Sequence, residues 1–212
     1  MIKLVGLIPL FPLIGFLING FFGKKLSKSL SGLIACSAIL ASFILSVGIF
    51  MEARHLPEHS QIVNLFSWIN AGSLNIPFEF VVDPLSTWFL LIITGIGFLI
   101  HVYSTSYMHD DEGFARFFTY LNLFVFFMLL LVLGNNFLIM FVGWEGVGLC
   151  SYLLIGFWFL RHEFSVSNLS QTFEEVETLF RYGLSYQLLD LLQLLNLRFY
   201  FFMLHHLQGD AD

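Results

Sequence analysis

The stretch FLIMFVGWEGVGLCSYLLIGFWFL, residues 137–160, carries a single charged side chain, Glu145, near its centre. A helix rises 1.5 Å per residue, so about 20 predominantly apolar residues cross the hydrocarbon core of a bilayer. This stretch is long enough to span. Four others lie upstream, at residues 4–22, 30–51, 85–103 and 117–133. The last of these is short, but dense in Phe and Leu. The composition agrees, with 58% of the 212 residues hydrophobic and only 11% charged. An ordinary soluble domain carries about 25% charged residues, so too little polar surface remains to coat a water-soluble globule. The sequence predicts an all-α polytopic membrane protein with five transmembrane helices, a small external β-hairpin and an atypical C-terminal tail.

Several function classes drop out early. The formal net charge is −6 with nine Lys plus Arg, which leaves no basic patch for a nucleic-acid backbone. Cys36 and Cys150 sit far apart inside separate hydrophobic runs, so neither a disulfide framework nor a CxxC metal pair is expected. There is no Gly-rich phosphate loop and no G-x-S-x-G elbow. Any redox chemistry is therefore expected in a partner.

Lys24, Lys25 and Lys28 cluster between the first two spans, against Lys3 alone before the first. By the positive-inside rule this connection is cytoplasmic and the N-terminus external. The loop at residues 52–83 is then external, the 107–116 connection cytoplasmic, and the Gly134-Asn135-Asn136 turn external. Pro9 and Pro12 lie in the first span, where a neighbouring helix or water must satisfy the carbonyls they free. In the external loop, residues 61–69 and 74–82 are β-prone runs flanking Asn70-Ala71-Gly72-Ser73, which reads as a hairpin. Asp83-Pro84 then suits a helix start, with Asp as the cap and Pro at the first helical position.

Glu145 is the residue with the clearest chemical reading. A carboxylate at that depth costs several kcal/mol unless paired, hydrated or protonated, and such residues mark transport paths. Gly143, Gly146 and Gly148 around it allow close helix approach or leave room for a water file. Other candidates read more plainly. His55 and His59 have helical ligand spacing, but Pro57 stands between them, which favours a solvated loop over a metal site. His109 with Asp110, Asp111 and Glu112 reads as a solvated loop cluster. His101 reads as an interfacial histidine at the end of span three, with a proton route as the alternative. His205-His206 is a lone pair in the tail, and Asn168-Leu169-Ser170 is a glycosylation triplet on the cytoplasmic side. Trp88 and Trp158 suit the interfacial belts, whereas Trp144 is expected to pack on a partner helix.

The run from Gly143 to Trp158, GWEGVGLCSYLLIGFW, resembles the fifth-helix signature of the L subunit of NADH–quinone oxidoreductase, respiratory complex I, whose mitochondrial counterpart is subunit five. Val82-Asp83-Pro84-Leu85-Ser86 and Phe114-Ala115-Arg116-Phe117-Phe118 resemble the same family in the expected order. The resemblance implies an antiporter-like membrane-arm subunit, coupling remote quinone reduction to proton translocation. It aligns Glu145 with the family's key glutamate, whose partner is a lysine on a later helix absent from this chain. It implies no cofactor in the chain itself, with NADH, flavin, iron–sulfur clusters and quinone held by other complex I subunits, and the bacterial inner membrane as the location. A multi-subunit sodium/proton antiporter subunit and a truncated, non-pumping remnant are the alternatives.

Residues 1–159 carry this pattern and residues 160–212 do not. The family's Asn-Arg-x-Gly-Asp segment never appears, and the apolar run at 188–204 contains Asp190, Gln193, Asn196 and Arg198. On an insertion scale Asp or Arg at a helix centre costs about 2.5–3.5 kcal/mol, against about 0.3–0.6 returned per apolar residue. The tail is expected either to lie at the membrane surface as an amphipathic helix or to be the product of a changed reading frame.

Overall fold

The structure is a computed structural model that describes residues 1–54, 60–71 and 74–157. The tail, His55, His59 and Trp158 lie outside the described residues. After a short 3-10 turn, Ile2–Leu4, come α1 (Leu7–Phe22), α2 (Lys28–Ala53), β1 (Gln61–Ala71), β2 (Leu74–Val82), α3 (Pro84–Tyr107), α4 (Phe114–Leu133) and α5 (Phe137–Ile155). All five helices are long and apolar enough to cross a membrane.

Local chemistry sets most of the helix starts. Ser27 Oγ accepts the Leu30 N–H and begins α2. Asp83 Oδ1 accepts the Ser86 N–H at 2.6 Å while Ser86 Oγ accepts the Asp83 N–H at 2.9 Å, closing a reciprocal capping box on α3. Asn136 Oδ1 accepts the Ile139 N–H at 3.0 Å and begins α5. The fourth span is not short: Gly113 is its N-cap, so α4 begins at Phe114 and runs for 20 residues. The fifth is shorter than expected. It ends at Ile155, where Gly156 is the C-cap and its N–H bonds Tyr152 O.

The two prolines of α1 are handled by local and neighbouring groups. Pro9 falls in the first turn, where its missing N–H costs nothing, and Val5 O instead takes the Ile8 N–H at 3.1 Å. Pro12 removes the donor for Ile8 O. Ser42 Oγ, from α2, donates to that carbonyl at 2.8 Å. A hydroxyl on one helix thus satisfies a carbonyl that proline frees on another, as a hydrocarbon environment demands.

α4 is the hub: α1, α2, α3 and α5 all pack on it, and α2 also packs on α1 and α3. One apolar cluster joins Ile8, Ile39, Ile49, Leu90, Leu129 and Ile139 to Phe80 and Val82 of the hairpin. A second, toward the other end, gathers Ala35, Met108, Phe114, Phe118 and Phe157. Outward-facing Leu33, Ile44, Leu85, Leu99 and Ile155 are exposed, which suits contact with lipid.

The connections divide between two ends, as the alternating topology requires. At one end Lys28 Nζ donates to His109 O at 2.9 Å, joining the α1–α2 and α3–α4 connections. At the other, β1 and β2 pair antiparallel from Gln61↔Val82 to Ala71↔Leu74, with register shifts near Phe66 and Ser67. Strand β1 is two residues longer than expected, because Asn70 and Ala71 pair with Asn75 and Leu74. The α4–α5 turn is tied to this hairpin: Asn135 Nδ2 donates to Glu79 Oε1 at 2.6 Å, and Asn136 Nδ2 to Pro77 O at 2.8 Å.

Ser42→Ala should destabilise the bundle by about 0.6–1.7 kcal/mol, the range of interhelical hydrogen bonds in membranes. In a Pro12→Ala background, where residue 12 can donate to Ile8 O itself, the loss should largely vanish. Unfolding of the four variants in bilayers or micelles measures this coupling; an equal cost in both backgrounds would refute the bond's assignment.

Candidate functional site

The stripe of α5 that meets α4 is Ile139, Gly143, Gly146 and Cys150, all buried. Gly143 and Gly146 are there because nothing larger fits. A Cβ built on Gly143 would lie 2.6 Å from the Leu131 backbone nitrogen, and one on Gly146 would overlap the Phe127 ring. Of the two uses expected for these glycines, close approach of helices is the one they serve.

That packing decides where Glu145 points. At 3.6 residues per turn it lies about 130° around the helix from the stripe. It is half-buried and shares the uncovered side with Trp144, Leu149 and Tyr152, which are exposed. Among the described residues Glu145 has no hydrogen-bond or ion-pair partner, and no lysine or arginine lies on α5. Trp144, expected to pack on a partner helix, is partly exposed on this side. The face that bears the carboxylate is open for another element, and the arrangement can hold one exchangeable proton or one basic partner.

The other candidates separate clearly. Asp83 is a helix cap. His109 Nδ1 and Asp110 Oδ1 pair at 2.9 Å on an exposed loop. Asp111 Oδ1 accepts the Gly113 N–H at the start of α4.

His101 differs from the interfacial residue expected. It is fully buried, because α3 continues six residues beyond it to Tyr107 and the start of α4 covers it. Its Nδ1 lies 2.8 Å from Gly97 O and its ring centroid 6.0 Å from that of Phe118. Its Nε2 and Asn122 Oδ1 are the two buried side-chain polar atoms without a hydrogen-bond partner among the described residues. Periodicity carried no hint of this, because a histidine near a span end reads as solvated until the helix end is fixed.

Residues 68–118 match the family model described as NADH-Ubiquinone oxidoreductase (complex I), chain 5 N-terminus. NADH-ubiquinone oxidoreductase chain 5 of Talaromyces marneffei is 44% identical over 161 residues, which are 75% of this chain and 24% of that protein. A Neurospora crassa protein named "Probable intron-encoded endonuclease 4" is also 44% identical over 161 residues, 75% of this chain and 29% of its own length. The chain thus spans about a quarter of the length of the chain 5 relatives it matches. Among solved structures, the Mrp complex from Dietzia sp. DQ12-45-1b superposes with a TM-score of 0.58 and 22% identity, covering 79% of this chain and 16% of that one. That likeness is one of fold. The N-terminal three quarters of this chain is similar to complex I chain 5, and its helices share the fold of part of the Mrp complex.

The glycine contacts predict an order of damage. Gly143→Ala should cost more than Gly146→Ala, because its methyl meets backbone, whereas Phe127 can swing aside. About 1–3 kcal/mol is expected for the first, the range of core overpacking. Unfolding midpoints of the two variants in micelles decide it, and a larger loss at Gly146 would contradict the packing described.

Proposed function

We propose that the chain is the N-terminal part of a membrane-arm subunit of proton-translocating NADH–quinone oxidoreductase, and that Glu145 takes part in its proton path. The observation that carries this reading is a carboxylate within a membrane-spanning helix, on the face its packing leaves open. A half-buried acid on an open face within a membrane span needs a partner. An ammonium brought beside it favours the anion, and its withdrawal favours the protonated acid, so a moving basic partner would load and unload one proton. In this reading the basic partner comes from another element or chain. The chain itself holds no NADH, flavin, iron–sulfur cluster or quinone, and those groups belong to the partner subunits of the complex.

The expected bacterial inner membrane receives no support from the comparisons, since the relatives named above are fungal. The membrane we propose instead is the mitochondrial inner membrane, which suits the similarity to fungal chain 5 proteins. An Mrp-type cation/proton antiporter is the competing transport reading, and only the shared fold supports it.

A second reading concerns residues 160–212. A protein named as an intron-encoded endonuclease shares a match of the same length as chain 5 itself. That makes a chain 5-like segment running on into a different continuation a concrete alternative to a functional short subunit. In this alternative the tail is read from intervening sequence, and the segment has no transport role on its own.

Three experiments separate the readings. In the assembled complex, Glu145→Gln should lower proton translocation about a hundredfold or more, the lower range for loss of a positioned proton-transfer group. Unchanged pumping would remove Glu145 from the path. Co-purifying NADH dehydrogenase activity supports complex I, whereas cation-dependent antiport without it supports the antiporter. For the tail, the gene and its mature transcript should be sequenced across the codons for residues 156–166 and beyond. A transcript that rejoins a frame encoding Asn-Arg-x-Gly-Asp and further apolar spans identifies the tail as intervening sequence; an unchanged transcript identifies a real short protein.

A further inference from the structure

Six of the eleven buried polar residues described on α1–α4 form a graded layer at the end of the bundle that carries Lys24, Lys25 and Lys28. Counting 1.5 Å per residue from the helix ends, Asn19, Ser31 and Ser104 lie about 4–5 Å in. Thr119 lies about 8 Å in, His101 about 9 Å and Asn122 about 12 Å. All six are buried. The first two bond each other: Ser31 Oγ donates to Asn19 Oδ1 at 2.8 Å, and Asn19 Nδ2 to Ser31 O at 3.3 Å. The series ends at the two unpartnered atoms, His101 Nε2 and Asn122 Oδ1. They flank one residue, Phe118, whose ring touches His101 and whose carbonyl accepts Asn122 Nδ2 at 3.0 Å. Asn122 Oδ1 faces Gly15 of α1, where a Cβ would come within 2.7 Å. Deeper along the α3–α4 seam lies a half-open apolar groove of ≈ 200 Å³, with His101 in its lining and the exposed side chains of Ile92, Ile96 and Ile100 at its rim.

We propose that His101 is a proton-loading site at the closed end of this polar half-path, separate from Glu145. The proposal rests on the transport reading of the chain. With Nδ1–H donated to Gly97 O, the neutral imidazole keeps a lone pair on Nε2. A hydronium arriving along the half-path transfers its proton to Nε2, giving an imidazolium and a water. The reverse transfer returns the proton to the same end or passes it on when the seam opens. The Nδ1 bond persists in both states, so the ring is held while Nε2 changes. The groove is apolar and opens on the outward, lipid-facing side of α3, so proton passage beyond His101 requires transient hydration.

Among the described residues no neighbouring charge neutralises a proton there. On α2, Lys28 is bonded to His109 O, Cys36 is half-buried, and Glu52 lies at the far end, paired with the Met1 amine. On α4, Arg116 sits over the Phe157 ring at 4.9 Å and Tyr120 lies against the same ring. α1 carries no titratable side chain, and on α3 Tyr103 and Tyr107 are exposed and stacked on each other. His101 is therefore a transit point, occupied briefly, and not a store.

The test uses the full chain in bilayers with 15N-labelled histidine, followed by solid-state NMR as a function of pH. His101→Asn is the informative variant, because an asparagine on this bundle already bonds the carbonyl four residues back, as Asn122 does with Phe118. One imidazole signal of the wild type should be the Nδ1–H tautomer at alkaline pH and turn to imidazolium as pH falls. That signal should be absent in His101→Asn. In the assembled enzyme the same variant should lower proton translocation about a hundredfold, as expected for a lost proton-transfer group. Asn122→Leu should slow the exchange yet leave the His101 signal in place. If the signal assigned to His101 stays neutral wherever the chain remains folded, or if His101→Asn pumps as wild type does, the proposal is overturned. Titration of His101 alongside normal pumping by Glu145→Gln would sink the Glu145 reading alone.

Discussion

Hydrocarbon offers no hydrogen bonds, so every polar group placed in it must find a partner in the chain. The bond from Ser42 to Ile8 O shows how strictly this binds the structure, since Pro12 is tolerable only because α2 delivers a hydroxyl to the carbonyl it exposes. The same requirement accounts for the short-range bonds of Ser46, Thr94, Thr119 and Ser151, each of whose hydroxyls donates to the carbonyl four residues earlier. Against that background a polar atom left without a partner stands out. Among the described residues the buried ones are His101 Nε2 and Asn122 Oδ1, and the half-buried carboxylate of Glu145 joins them.

The tightest helix contact also has a directional consequence. Gly143 and Gly146 let α5 lie directly on the backbone and rings of α4, which fixes the rotation of α5 about its axis. Once that rotation is fixed, Glu145 cannot face α4, and its carboxylate is presented to the uncovered side. Bulkier residues at 143 and 146 would hold the helices apart and leave that rotation loosely defined. Packing and chemistry are thus coupled through residues that carry no chemistry themselves.

Much of this could be read from residues alone, for identifiable reasons. Spans are long, uniformly apolar and separated by Lys, Gly and Asn, so their number and order survive any uncertainty at their ends. Asp83-Pro84 announced its cap. The ends themselves were less legible, because hydropathy does not sense a cap such as Gly113 or a stop such as Gly156. That error of a few residues had a chemical cost: it placed His101 at an interface, when the extra turn of α3 and the ring of Phe118 bury it. The role of the glycines was likewise open in sequence, since small side chains permit either a water file or a close contact. Only the position of the facing helix distinguishes the two.

The two polar sites differ in what each lacks. Glu145 lies on an exposed face and lacks a counter-charge, which a second element can supply by docking there. His101 lies inside a finished bundle and lacks only a donor, which water can supply without any docking. On the proposed reading, an acid that waits for a partner makes a proton path depend on a further element, whereas an imidazole buried at the end of a polar layer depends on α1–α4. α5 packs on α4, and its open face is the side of the described helices on which such an element would dock.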